Sequence, residues 1–384
     1  MTDTPTPIYL DNNATTPLAP GVLAAMEDCL RQCYGNPSSM HRVGASAKHR
    51  LAKARAEVAA LIGAAPAEIV FVSGATEANH TAILGALAAR PDRRHVVVSA
   101  VEHPSQLLLL RHLESKGVRV TYLKVDGEGR LDLDQLTSAI QDDTALVSLM
   151  WANNETGVLF PIAEAAAIAK SRGALFHADA VQAAGKVAID LRQAPVDLLS
   201  ISGHKLHAAK GVGALYVRKG LKLPPLFFGH QERGRRGGTE NLPAIVGFGV
   251  AAELAAQALV KDLPGIAILR DRLEQGLARC LPQSRVNGIG APRLANTCSI
   301  RFATVDAEIV LDRLDEAGVC ASSGSACTAG GTEPSHVLLA MGQSHEAALA
   351  SVRFSLSRFN SAAEIERVLE IVPGIIRPLL GMAA

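Results

Sequence analysis

From about residue 68 to 217 the chain alternates between two hydrophobic rhythms. Short runs such as "EIVFVS", "HVVVSA", "VRVTYLKV", "ALVSLMWA", "ALFHAD", "VDLLSIS" and "GALYVR" are dense in apolar and β-branched residues and read as buried strands. Between them, "TEANHTAILGALAA", "PSQLLLLRHLESKG", "LDQLTSAI" and "PIAEAAAIAKSRG" place apolar residues at helical spacing. Strands that alternate with helices are βαβ units, and they predict a mostly parallel sheet covered on both faces. Ligands of such sheets bind beyond the carboxyl ends of the strands. Five of those ends carry polar residues: Thr76 beyond Val72, His103 beyond Val98, Asn154 beyond Met150, Asp179 beyond Phe176 and Lys205 beyond Ile201.

The alanine-rich run "LPAIVGFGVAAELAAQALV" predicts a long helix leading into a second unit. There "NTCSIRF", "DAEIVLDRLDEAG", "VCASS", "SVRFSLS" and "SAAEIERVLEIVPGII" read as a smaller α+β domain. The expected division is a large domain over residues 16–258 and a small one over 1–15 and 259–384.

Composition narrows the partners. Of 384 residues 48% are apolar, enough for a sizeable core, and the formal net charge is only +1. Basic residues are dispersed except in "ERGRRGG", so no nucleic-acid or membrane surface is expected. The start "MTDTPTPIYLDNN" lacks the basic and apolar regions of a secretory signal, and no uncharged apolar run long enough to span a bilayer is seen. Cysteines 29, 33, 280, 298, 320 and 327 show neither a C-x-x-C pair nor a zinc spacing. Reduced thiols in the cytoplasm are the expectation.

"LSISGHKLHAAKG" ends an apolar strand in Ser202, Gly203, His204 and Lys205. An amine at an apolar strand end can have its pKa lowered and form an imine with a carbonyl, as pyridoxal phosphate requires. That cofactor needs an acid at its pyridine nitrogen; Asp179, 26 residues before Lys205, suits the role as well as it suits capping the next helix. Gln182 lies a turn further on, within reach of the ring hydroxyl. "SGATEAN" puts the amides of Ala75 and Thr76 at a helix N-terminus, where a phosphate is favoured, with Ser202 and His204 closing over it. His103 in "VEHPS" would lie on the ring face. A metal reading of His204-x-x-His207 lacks a carboxylate or cysteine ligand, and no phosphate-binding G-x-x-x-x-G-K-[ST] loop occurs. "ASSGSACTAGG" surrounds Cys327 with small polar residues, the setting of an exposed thiolate that carries a group. Arg353 in "SVRFSLS" offers a planar fork for a carboxylate.

The motifs "YLDNNATT", "YGNPSS", "SGATEANH", "EHPS", "WANNETG", "DAVQAAGK", "SGHKLHAAKGVGALY", "GHQERGRRGGTEN", "SSGSACT", "EPSHVL" and "RFSLSR" stand in order from residue 8 to about 379. They resemble the pyridoxal-phosphate cysteine desulfurases, in wording nearest to the nitrogenase-associated type. The resemblance implies the aspartate aminotransferase-like fold (fold type I). It implies conversion of L-cysteine to L-alanine with a persulfide left on Cys327, supplying sulfur for iron–sulfur clusters and nitrogenase cofactor assembly.

In residue terms it implies Lys205 as the Schiff-base lysine, Asp179 at the pyridine nitrogen, Gln182 at the ring hydroxyl and His103 stacked on the ring, with either Lys205 or His103 shuttling protons. Ala75, Thr76, Ser202 and His204 would hold the phosphate, and Asn154 and Arg353 the substrate carboxylate region, with Asn154 also beside the cofactor. Thr239 would reach the phosphate of a second subunit's cofactor in a homodimer with shared sites. A scaffold or other acceptor protein would take the sulfur. No structural metal is implied, and Cys327 is the point where a transient iron–sulfur cluster would touch. Two departures from the pattern are Phe228 in "FFGHQE", where a glycine is expected, and the short stretch after "IIRPLLG", where cluster-assembly relatives carry a longer tail. A selenocysteine lyase could use the same groups, whereas an aminotransferase would have no use for Cys327. A non-enzymatic sulfur carrier on a retired scaffold need not retain Lys205, Asp179 and Cys327 together.

Overall fold

The computed structural model describes residues 7–324 and 333–381. In chain order the first part comprises β1 (Ile8–Tyr9), α1 (Pro20–Gln32), α2 (Arg42–Leu61), β2 (Ile69–Val72), α3 (Ala75–Ala89), β3 (His95–Ser99), α4 (Pro104–Glu114) and β4 (Arg119–Leu123). It continues with α5 (Leu133–Ala139), β5 (Thr144–Met150), α6 (Ile162–Ser171), β6 (Leu175–Asp179), β7 (Leu198–Ser202) and β8 (Gly213–Val217). These seven strands from β2 to β8 form one sheet in the order β2-β8-β7-β6-β5-β3-β4. Only β8 runs against its neighbours; the β7–β6, β6–β5, β5–β3 and β3–β4 pairs are parallel. Every residue of β3, β5, β6 and β7 is buried, as strands sandwiched by helices must be.

The second part holds α7 (Gln231–Gly234), α8 (Leu242–Lys261), α9 (Leu263–Cys280), β9 (Ser284–Val286), β10 (Thr297–Phe302), α10 (Ala307–Glu316), β11 (Val319–Cys320) and β12 (Ser322–Ser323). It closes with α11 (His336–Ala340), α12 (His345–Leu349), β13 (Ser351–Ser355) and α13 (Ala362–Leu379). An antiparallel sheet of order β12-β13-β10-β9 is backed by its own apolar cluster, built from Leu273, Ile300, Phe302, Phe354 and Val368. Leu10, beside β1, belongs to that cluster, because β1 pairs with β11.

Two features add to the sequence reading. Helices α1 and α2 precede the alternating region and lay outside that reading; α2 buries Ala47, Leu51, Ala54 and Val58 in the main core. α8 is long and apolar enough to cross a membrane by length and composition, although Glu253 and Lys261 interrupt it, in keeping with the expectation that no uncharged run of that length exists. Its Phe248, Ala251 and Ala252 are fully buried in the main core, and Gly247 and Gly249 let α1 and α2 approach closely, so it is a core helix.

Candidate active site

The carboxyl ends of the parallel strands open into a cavity of about 700 Å³, within the usual size of a small-molecule site. Ala75, Thr76, His103, Asn154, Asp179, Gln182, Ser202, His204, Lys205 and Arg353 all line it. Two expected residues do not. Thr239 lines a separate surface cavity of about 370 Å³ beside Cys29, Cys33 and Tyr34. Cys327 lies outside the described residues, although Gly324, three positions before it, is on the rim of the main cavity.

Helix α3 begins at the end of β2, so its first-turn amides have no intrahelical acceptor and face the cavity end where Ala75 and Thr76 sit. Glu77 holds that turn: it accepts from the Ser73 amide at 2.8 Å and pairs with Arg236 at 2.9 Å, which keeps its carboxyl below its ordinary range despite burial. Gly213 lets β8 pass directly beneath, since a Cβ there would fall 2.9 Å from the Gly74 Cα. Ser202 ends β7, and the following 3-10 turn carries Gly203, His204 and Lys205. His204 Nδ1 lies 3.1 Å from Thr15 Oγ1, and burial pushes this imidazole down to about 4. His207 faces away: it has a left-handed backbone, its Nδ1 meets the Pro17 carbonyl at 3.0 Å, and it lines a different, smaller cavity.

At the opposite wall, Asp179 ends β6 almost fully buried. Its Oδ1 accepts from the Val181 amide at 3.1 Å and its Oδ2 from Asn79 Nδ2 at 2.8 Å. Lys205 Nζ donates to the carbonyls of Asn13 at 2.5 Å and Ala14 at 2.6 Å. Gln182 Nε2 also donates to the Asn13 carbonyl, while its Oε1 accepts from Lys186 Nζ at 2.8 Å. Burial, with Lys205 and Arg353 nearby, pushes the Lys186 ammonium down to about 7. Arg353 is a buried residue of a central strand rather than a surface charge. It donates to Asp11 Oδ1 at 2.8 Å and to the Asn154 carbonyl at 3.0 Å, and its buried Nε has no hydrogen-bond partner among the described residues.

Several residues of the site escaped the sequence reading. Asn13, Asn79, Ser105, Glu102, Glu155 and Lys186 all hold or line it. Asn79 was findable, because it stands four residues after Ala75 and therefore on the same face of α3. Glu102 accepts from Ser99 Oγ at 2.7 Å, the Met150 amide at 2.9 Å and Gln106 Nε2 at 2.8 Å; complete burial still raises its pKa to about 8. Nothing in its spacing announces that environment.

The whole sequence bears on what this site does. The pattern of the aminotransferase class-V family matches residues 8–368. Cysteine desulfurase 2 of Trichormus variabilis is 52% identical over 373 residues, covering 97% of this chain and 94% of its own. The chain belongs to the aminotransferase class-V family. Within it the enzyme is a cysteine desulfurase, and its cofactor is pyridoxal 5'-phosphate. Among solved structures, a NifS-like protein superposes with a TM-score of 0.90 at 35% identity, covering 96% of this chain and 99% of that one. SspA in complex with cysteine superposes at 0.81 and 34% identity, covering 92% of the desulfurase described here and all of SspA. The donor set of the cavity suits the cofactor. Its lining combines a buried carboxylate, a helix N-terminus with serine and histidine, and an amine.

Proposed function

We propose that the desulfurase takes L-cysteine to L-alanine and leaves the sulfur on Cys327. The balance is L-cysteine plus the Cys327 thiol to L-alanine plus the Cys327 persulfide: the substrate C–S bond breaks, a C–H bond replaces it, and an S–S bond forms. The observation that carries this reading is the convergence of Asp179, Lys205 and Arg353 on one cavity whose rim is Gly324, at the start of the segment bearing Cys327.

Asp179 would hold the pyridine nitrogen, Gln182 the ring hydroxyl and His103 the ring face, with Ala75, Thr76, Ser202 and His204 on the phosphate. When bound, the cofactor supplies an electron sink for charge at the substrate α-carbon. The protein's own part is positional and protic. Lys205 would hold the cofactor, and its amine would move the substrate α-proton. Arg353, whose Nε meets no acceptor among the described residues, and Asn154 grip the substrate carboxylate. The Cys327 thiolate attacks the substrate sulfur. Thr239, exposed beside Tyr34 and outside the lining of its own chain's cavity, suits a contact to the cofactor phosphate of a second copy in a homodimer.

On this reading residues 16–258 form the cofactor domain, and 1–15 with 259–384 the small domain that brings in Arg353 and Cys327. The persulfide passes to a scaffold or other acceptor protein in the cytoplasm, for iron–sulfur clusters and nitrogenase cofactor assembly. The test is alanine and sulfide release from L-cysteine with a dithiol reductant, for wild type and Cys327→Ala. Equimolar products, lost in the variant while its yellow colour is retained, are expected. A variant that still releases sulfide at the wild-type rate would move the nucleophile elsewhere.

A further inference from the structure

His103 does two jobs at once. It is the N-cap of α4, with Pro104 at the first helical position, and its ring rather than a hydroxyl or carboxylate accepts the free amide of the first turn: Ser105 N–H meets Nδ1 at 3.1 Å. An amide can only donate, so Nδ1 must offer a lone pair. Ser105 Oγ lies 2.9 Å from the same nitrogen. That hydroxyl accepts from Asn79 Nδ2 at 3.2 Å, and with the amide fixing Nδ1 as an acceptor its own proton turns to the same nitrogen. The second Nδ2 proton of Asn79 goes to Asp179 Oδ2 at 2.8 Å, and the carboxylate thereby fixes which way the amide faces. Asn79 is fully buried, and among the described residues its Oδ1 has no partner that would compete for that orientation.

We propose that Asn79 and Ser105 are positioning residues that hold His103 as the neutral tautomer with its proton on Nε2 and tie that ring to Asp179. The inference rests on the cavity being the reaction site and deepens that reading. An imidazolium would carry a proton on Nδ1 pointing at the amide of Ser105, so charging the ring dismantles the cap of α4. Losing the Nε2 proton without gaining one at Nδ1 would leave an imidazolate. His103 therefore presents a fixed N–H and a flat apolar face to the cavity, and the travelling proton belongs to Lys205. The charged and titratable groups around His103 are Asp179 at the end of β6, Lys205 in the turn after β7 and His336 on α11. Asp179 favours the charged ring; Lys205, His336 and, most of all, burial oppose it.

The test is nitrogen NMR of the cofactor-loaded enzyme carrying ¹⁵N in its histidine rings, with the His103 signals identified by their loss in His103→Asn. In wild type, Nδ1 is expected to be pyridine-like and Nε2 pyrrole-like, unchanged well below the ordinary histidine midpoint of about 6.5. Asn79→Leu, which is close to isosteric, removes the N–H donor that competes for Ser105 Oγ, so that the oxygen accepts more readily from a protonated Nδ1, and it removes a donor from Asp179. Both effects favour the imidazolium, so the His103 midpoint should rise by roughly half to one pH unit, the worth of one lost hydrogen bond. Asn79→Ser, which retains one donor, should give a smaller rise and restores a measurable protein if the leucine variant does not fold. A pyrrole-like Nδ1 in wild type, or a midpoint unmoved in the variants that fold, overturns the proposal. Neither result depends on sulfide release, so failure here and failure of the desulfurase reading are separable.

Discussion

Glu155 lies under the two ends of the segment that bears Cys327. It is 4% exposed, Ser335 Oγ donates to its Oε2, and Gly324 packs against the same oxygen so closely that a Cβ there would collide with it. Burial raises its carboxyl from 4.5 to about 7, and the Ser335 bond and the nearby Arg353 only partly offset this. A folded pKa above the unfolded one means that the acid's contribution to stability is complete below about 4.5. It is then lost as the pH rises through 7. At about 1.4 kcal/mol per pH unit the full loss is about 3 kcal/mol. Glu155→Gln keeps the shape and an acceptor for Ser335 but has no proton to lose. Urea unfolding of both proteins, at equal cofactor loading, should therefore show the variant gaining on wild type by roughly 2 kcal/mol between about pH 5 and pH 8. A constant difference across that range would refute the reasoning, because it would mean that Glu155 is already ionised in the folded protein.

Two further outcomes follow from buried charges. Arg353→Lys keeps the charge but loses the planar fork that spans Asp11 and the Asn154 carbonyl, together with its Nε donor, so KM for L-cysteine should rise about tenfold or more; unchanged steady-state kinetics would remove Arg353 from substrate binding. Arg55 makes a bidentate pair with Glu232 at 2.5 and 2.6 Å, and both side chains are largely buried. Arg55→Ala should cost about 3–5 kcal/mol in urea unfolding by stranding the carboxylate, with part recovered in Arg55→Ala combined with Glu232→Gln; no recovery would point to lost packing of Arg55 over Phe71 instead.

Periodicity determined much of this protein without help from the tertiary structure. The β3, β5, β6 and β7 runs are continuously apolar because helices cover both sheet faces, and that covering is what writes a readable alternation of strand and helix into the chain. The polar residues at their ends were readable too, since a parallel sheet gathers its carboxyl ends on one side whatever the strand order. Strand order itself, with β8 inserted antiparallel between β2 and β7, came only from the folded structure, because pairing depends on packing that no local pattern records.

The chemistry divides in the same way. Asp179, Lys205 and His103 were identifiable from residue type and position, but their states were not. Those states depend on groups far away in the chain: Asn79 on Asp179 across 100 residues, Asn13 and Ala14 under Lys205 across more than 190, and Asp11 on Arg353 across 342. Sequence can name a residue able to carry a charge. Whether it does is decided by desolvation and by which donors surround it, and those exist only after distant segments have packed together.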